Sequence, residues 1–190
     1  MKKSELVYRE LLFNAIEKKN NKLTQLELSK KLSISLSTVN NAIKPLVNMG
    51  AIQINLRNLR ILDIKKILYH WANIRNLKKD IIYSTRIEKP VREIEKTMPD
   101  NIIFTAYSGY KIKFNDVPAD YSEIYVYGDE SIKERFPKNN GIPNLFVLKK
   151  DIIMKEITIA NLFVDLWNIK EWYSKEFIKS LEAKLHGILE

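Results

Sequence analysis

A chain of 190 residues, 45% apolar and 29% charged, has the composition of one medium or two small globular domains, each with room for a core. The absence of cysteine excludes disulfides, thiolate metal sites and Cys nucleophiles. His70 and His186 alone leave almost nothing for a zinc site or a His-based triad, so no metal ligand, cofactor or catalytic residue is assigned. The net charge of +9 is uneven: residues 1–98 carry 20 Lys and Arg against 9 Asp and Glu, whereas 99–190 carry 12 against 14. A polyanionic partner is therefore expected of the first half, through salt-sensitive phosphate contacts. No apolar run approaches membrane-spanning length and the N-terminus lacks the apolar core of a secretory signal, so the expectation is a cytoplasmic protein with no membrane partner.

Residues 4–19 predict a helix with Leu6, Leu12, Phe13 and Ile16 on its apolar face, ended by Asn20, Asn21 and Lys22. Residues 23–52 predict a helix, a turn over residues 33–35, a second helix, a glycine stop and the start of a strand. Leu26, Leu28 and Leu32 mark the first helix. Val39, Ile43, Leu46 and Val47 mark the second, whose start offers the hydroxyls of Ser35 and Thr38 to unpaired N–H groups and whose end is closed by Gly50. The opposite face of that second helix carries Ser37, Thr38, Asn40, Asn41, Lys44 and Asn48 and no acid. Asn pairs bidentately with an adenine edge, Lys meets phosphate or guanine, and Ser and Thr reach either, while an ordinary solvated face mixes both signs of charge. Pro45 frees the carbonyl of Asn41 and predicts a kink between residues 41 and 45, or a helix in two pieces. Ile52, Ile54 and Leu56, then Leu62 and Ile64, frame a β-hairpin with Arg57, Asn58 and Arg60 near its tip.

A helix over residues 65–77 follows, with Ile67, Leu68, Trp71, Ile74 and Leu77 on one side, suited to connection and to a dimer seam. Residues 80–87 look extended, and Pro90 opens a short helix stopped at Pro99. Beyond it, 102–106 reads as a strand, Tyr107-Ser108-Gly109 as a turn, 123–127 as a strand, 131–136 as a short helix and 145–148 as a strand. Thr158 caps a helix over 159–167, and Asn168 with Glu171 forms a capping box that opens another over 169–185. Leu166, Trp172, Tyr173, Phe177, Leu181 and Leu185 would cover a small sheet.

The stretch ELSKKLSISLSTVNNAIKPLVNMGAI resembles the second and third helices of winged helix-turn-helix transcription regulators, with Ser29 and Ser33 where that family commonly has Ala and Gly. The strand, Ser108-Gly109 and ADYSEIYVY also resemble the start of a nucleotidyltransferase-like fold. They are similar in the same way to the C-terminal domain of AbiE-type antitoxin regulators, although Asp120 and Glu123 lack the one-residue spacing of metal-binding carboxylates. The expected fold class is α+β: a winged helix-turn-helix over 1–65, a connecting helix and linker over 66–98, and a small α/β domain over 99–190 for partner, effector or dimer contacts. The resemblance implies a homodimeric, sequence-specific regulator that binds double-stranded DNA. Ser37, Thr38, Asn40, Asn41, Lys44 and Asn48 would face the major groove, and Arg57, Asn58 and Arg60 the backbone or minor groove. The alternatives are a nucleotidyltransferase-like enzyme, an antitoxin-type regulator binding a protein through its C-terminal domain, or a winged helix that contacts protein, whose face would be interrupted by exposed apolar residues.

Overall fold

The computed structural model describes residues 1–189. The chain divides into two compact units, one of residues 1–75, 158–164 and 182–190, the other of residues 76–157 and 165–181.

In the first unit, α1 (Lys3–Ile16) turns Val7, Leu11, Leu12, Ala15 and Ile16 into the core. Leu6 and Phe13 are only half-buried; the Phe13 ring instead carries the ammonium groups of Lys18 and Lys31, 4.9 and 5.6 Å from its centroid. The short strand β1 (Lys22–Leu23) precedes α2 (Gln25–Leu32), whose capping box joins Thr24 and Glu27 in both directions at 2.8 and 3.1 Å. Leu28 and Leu32 are buried, but Leu26 is exposed. In α3 (Leu36–Asn48) Val39, Ala42, Ile43 and Leu46 face the core, and Gly50 follows at φ 71°, a conformation L residues rarely adopt.

The helix runs unbroken through Pro45. Proline removes one N–H, and the freed carbonyl belongs to Asn41 on the exposed side, where water can satisfy it, so division of the helix is not required. The hairpin is shorter than its alternation implied. Strand β2 (Ile52–Ile54) pairs with β3 (Leu59–Ile61), Leu56 and Leu62 are exposed, and Ile64 opens α4 (Ile64–Ile74). Strand β1 adds a third, antiparallel member, giving the order β1-β3-β2.

Trp71, expected as core or dimer seam, is fully buried within this unit. Its indole Nε1 donates to Glu5 Oε2 at 3.3 Å, and the same oxygen pairs with Arg75 Nη1 at 3.1 Å. With Ile67, Leu68 and Ala72 also buried, the apolar stripe of α4 is spent inside the unit. Ile74 is partly exposed, and Leu77 lies past the helix.

The second unit is built on a mixed four-stranded sheet in the order β4-β7-β6-β5. Strand β4 (Ile81–Thr85) runs antiparallel to β7 (Leu145–Lys149), β7 parallel to β6 (Ile124–Gly128), and β6 antiparallel to β5 (Ile103–Thr105). The short helices α5 (Val91–Lys96) and α7 (Ile132–Arg135) supply Ile94 and Ile132 to a core with Ile124, Val126, Leu145 and Val147. The predicted turn at Tyr107-Ser108-Gly109 is instead helical, part of α6 (Ala106–Phe114). Ala106, at φ 49°, carries the chain from β5 into that helix without a loop. Tyr107 is then buried among Phe177, Tyr173 and Tyr121, with ring centroids 5.0, 5.2 and 5.3 Å away, and this packing overrides the turn propensity of Ser-Gly.

Helix α8 (Ile159–Trp167) is capped as expected, Asn161 N donating to Thr158 Oγ1 at 3.1 Å. The last helix, α9 (Ser174–Leu189), starts five residues later than expected: 169–171 is irregular, Trp172 and Tyr173 form a turn, and Trp172 is exposed. A buried carboxylate, Asp165, accepts from Thr105 Oγ1 at 2.8 Å and Tyr127 Oη at 2.7 Å, which fixes both strands beneath it.

Candidate nucleic-acid interface

Helix α3 is oriented by the turn that precedes it. Ser33 ends α2 in the left-handed region at φ 52°, where the resembled pattern has glycine, and Ser29 Oγ donates to Ile34 O at 2.6 Å to brace the reversal. The serines that depart from the pattern thus shape the turn. Ser35 caps α3, its Oγ accepting from Thr38 N at 3.2 Å and lying 2.9 and 2.8 Å from the hydroxyls of Ser37 and Thr38. Those two hydroxyls are partly engaged in the cap itself.

From there Ser37, Asn40, Asn41, Lys44 and Asn48 follow at helical intervals along one stripe, and all five are exposed; Thr38 beside them is half-buried. Asn40, Asn41, Lys44 and Asn48 have no side-chain partner among the described residues. The helix contains no acidic residue. Leu36, which the sequence reading left off this face, is 44% exposed in the first turn, so the surface is polar with one apolar edge.

The hairpin places its candidates differently. Arg57 is exposed at the tip, beside a fully exposed Leu56. Asn58 is half-buried and closes the turn: its carbonyl oxygen accepts from Asn55 N at 2.7 Å and its Oδ1 from Asn55 Nδ2 at 3.0 Å. Arg60 lies in β3 rather than at the tip. It stands directly opposite Lys22 on one neighbour and Gln53 on the other, and all three are exposed.

That register exposes a cluster the sequence reading passed over. Lys19, Asn20, Asn21, Lys22 and Arg60 line one cavity of about 430 Å³. Its walls are tied by Ile61 N donating to Asn21 O at 2.9 Å and Lys22 N donating to Asn20 Oδ1 at 3.0 Å. Two cations directly across a strand pair repel, a cost an anion between them would relieve. The signal was the basic run Lys18-Lys19-Asn20-Asn21-Lys22, which ends a helix in isolation and gains Arg60 as a neighbour once β1 pairs with β3.

The division of charge is less steep when it follows the compact units than when it follows the two halves of the sequence, but the excess stays with the first unit. The first carries 15 Lys and Arg against 7 Asp and Glu, a net +8; the second carries 17 against 16, a net +1.

The carboxylates of the nucleotidyltransferase resemblance go to separate surroundings. Glu123 accepts hydrogen bonds from Tyr173 Oη and Ser122 Oγ. Asp120 lines a cavity of about 140 Å³ with Arg92 and Lys111. Ser108 is buried within a helix, so no Ser-Gly loop presents backbone N–H groups there. Among the described residues no three His, Asp or Glu side chains gather in a metal-holding group, and no helix is long and apolar enough to cross a membrane.

Residues 9–53 match a family model described as winged helix-turn-helix DNA-binding, which covers α1 from Arg9 through α2 and α3 into β2. The first unit thus contains a winged helix-turn-helix of the DNA-binding kind. The match spans under a quarter of the chain and leaves the second unit outside it. No curated protein and no solved structure matches the chain at a significant level.

Proposed function

We propose that the protein is a transcriptional regulator that binds double-stranded DNA sequence-specifically, with α3 in the major groove and the hairpin as wing on the backbone or in a minor groove. The observation that carries this is the acid-free stripe of Asn40, Asn41, Lys44 and Asn48, exposed and without side-chain partners among the described residues, on a unit of net charge +8. Asn40 and Asn41 read base edges, Lys44 meets a phosphate or guanine, and Leu36 suits a thymine methyl. Ser37 and Thr38 bind phosphate near the helix start, while Arg57 and Leu56 at the wing tip suit a minor groove, which accepts basic and apolar side chains together. Lys22 and Arg60 neutralise backbone charge, and Asn58 holds the wing turn. The second unit serves partner or effector contacts without catalysis, and the protein acts as a homodimer on two half-sites. Its seam is not the stripe of α4, which is buried within the unit.

Selection of bound sequences from random duplexes at two salt concentrations tests this. Lys44→Ala is expected to weaken binding to all sequences alike and to lower the salt slope by about 1. Asn40→Ala or Asn41→Ala is expected to relax preference at particular bases, costing roughly 1–3 kcal/mol of discrimination each. Equal losses on selected and random duplexes for all three variants would overturn the assignment. Sedimentation with and without duplex checks the dimer.

A further inference from the structure

The second unit contains a cavity of about 730 Å³, inside the range typical of small-molecule sites. Arg86, Lys89, Arg135 and Lys138 line it, against one acid, Glu88, which pairs with Arg86 Nε at 3.1 Å. A lining of net charge +3 in a unit of net charge +1 is a local concentration, not a background. Like charges gathered around one hollow raise its potential, and a multiply charged anion relieves that repulsion.

The walls are braced before any ligand arrives. From β4, Tyr83 Oη donates to Phe136 O at 2.7 Å and Thr85 Oγ1 to Pro137 O at 3.0 Å, while Asn139 N donates to Thr85 Oγ1 at 2.9 Å. Lys138 Nζ is held by Ser84 O at 2.6 Å. On the other side Asn144 clamps Ile87 through both backbone groups, at 2.8 and 3.0 Å. Gly141 leaves room for the stem of Arg86, since a Cβ there would come 2.8 Å from Arg86 Cγ. Ile87, Phe136 and Pro137 add an apolar wall. Preformed walls lower the ordering cost of binding.

We propose that this cavity binds a small phosphorylated molecule of nucleotide size, with at least two phosphate charges held by Arg86, Lys89, Arg135 and Lys138 and its uncharged part against Ile87 and Phe136. The site lies wholly in the second unit and does not depend on the DNA-binding reading of the first.

Isothermal titration of the full chain with ATP, inorganic pyrophosphate and adenosine tests it. ATP and pyrophosphate are expected to bind at micromolar concentration and adenosine not at all. Arg135→Gln with Lys138→Gln should weaken ATP binding at least about tenfold, the scale of a lost charge-assisted contact. Gly141→Ala, which keeps every charge but displaces Arg86, should weaken it several-fold, with thermal melting showing both variants folded. No heat with either anion up to millimolar concentration overturns the proposal, as does unchanged ATP affinity in folded variants. If the anions fail to bind and the double variant instead loses affinity for duplex DNA, the surface is a backbone contact and the small-ligand site is refuted. Loss of anion binding with intact DNA binding, or the reverse, separates this proposal from the first.

Discussion

At the scale of single residues, one carboxylate shows how a buried charge is kept. Glu5 and Arg75 are both nearly inaccessible, and Glu5 Oε2 also accepts from the Trp71 indole. Removing one partner leaves the other desolvated, so Arg75→Met is expected to cost roughly 3–5 kcal/mol, read from denaturant unfolding. A loss within 1 kcal/mol, typical of exposed pairs, would mean the pair is hydrated in solution. The interface obeys the opposite logic. The side chains of Asn40, Asn41 and Lys44 have no partner among the described residues, so their replacement is expected to leave the fold intact and to act on binding.

At the scale of elements, α3 carries an avoidable defect. Pro45 forfeits one intrahelical bond while the helix continues around it. Pro45→Ala is expected to raise stability by roughly 2 kcal/mol, the ~3 kcal/mol cost of an interior proline less the ~1 kcal/mol of chain entropy that proline removes from the unfolded state. An unchanged or lower melting temperature would show that the site is shaped for proline. In the second unit, Glu95 of α5 accepts from Lys111 Nζ of α6 at 2.6 Å and from Tyr121 Oη at 2.7 Å. Partial burial pushes its pKa up, but these hydrogen bonds and the Lys111 charge prevail and hold it below the ordinary 4.5. A depressed carboxyl stabilises fully above its unfolded value and loses that contribution as pH falls through the folded one. Melting temperatures of the native chain and of Glu95→Gln are therefore expected to differ near neutrality and to converge as pH drops below 4.5. Parallel curves across that interval would contradict the pairing.

At the scale of the molecule, the unit that holds the helix-turn-helix is discontinuous in sequence. Its first 75 residues are completed by 158–164 and 182–190. Tyr69 packs edge-on against Phe163 at 5.4 Å and donates to Glu182, while Glu17 Oε1 accepts from Ile159 N at 2.8 Å. A fragment of residues 1–75, although it contains the whole family match, is expected to melt lower and less cooperatively than the full chain by circular dichroism. Equal cooperativity would make the C-terminal segments dispensable.

Local chemistry alone determined the helix-turn-helix. The i, i+4 and i+7 apolar stripe of α3, the hydroxyl at Ser35, the glycine at position 50 and the acid-free outer face are all set by neighbours within a few residues, as are the strand at 124–128 and the cap at Thr158. Tertiary structure decided what depends on distant partners. The burial of Tyr107 turned Ser108-Gly109 from loop to helix, and the pairing of β1 with β3 set Lys22 beside Arg60. The hydrogen bond from Trp71 to Glu5 joined helices far apart in sequence, and the fold of the second unit drew Arg86 and Arg135 around one cavity. Propensity and periodicity are sums over adjacent residues, whereas a charged hollow or a cross-strand pair exists only once the chain has closed on itself.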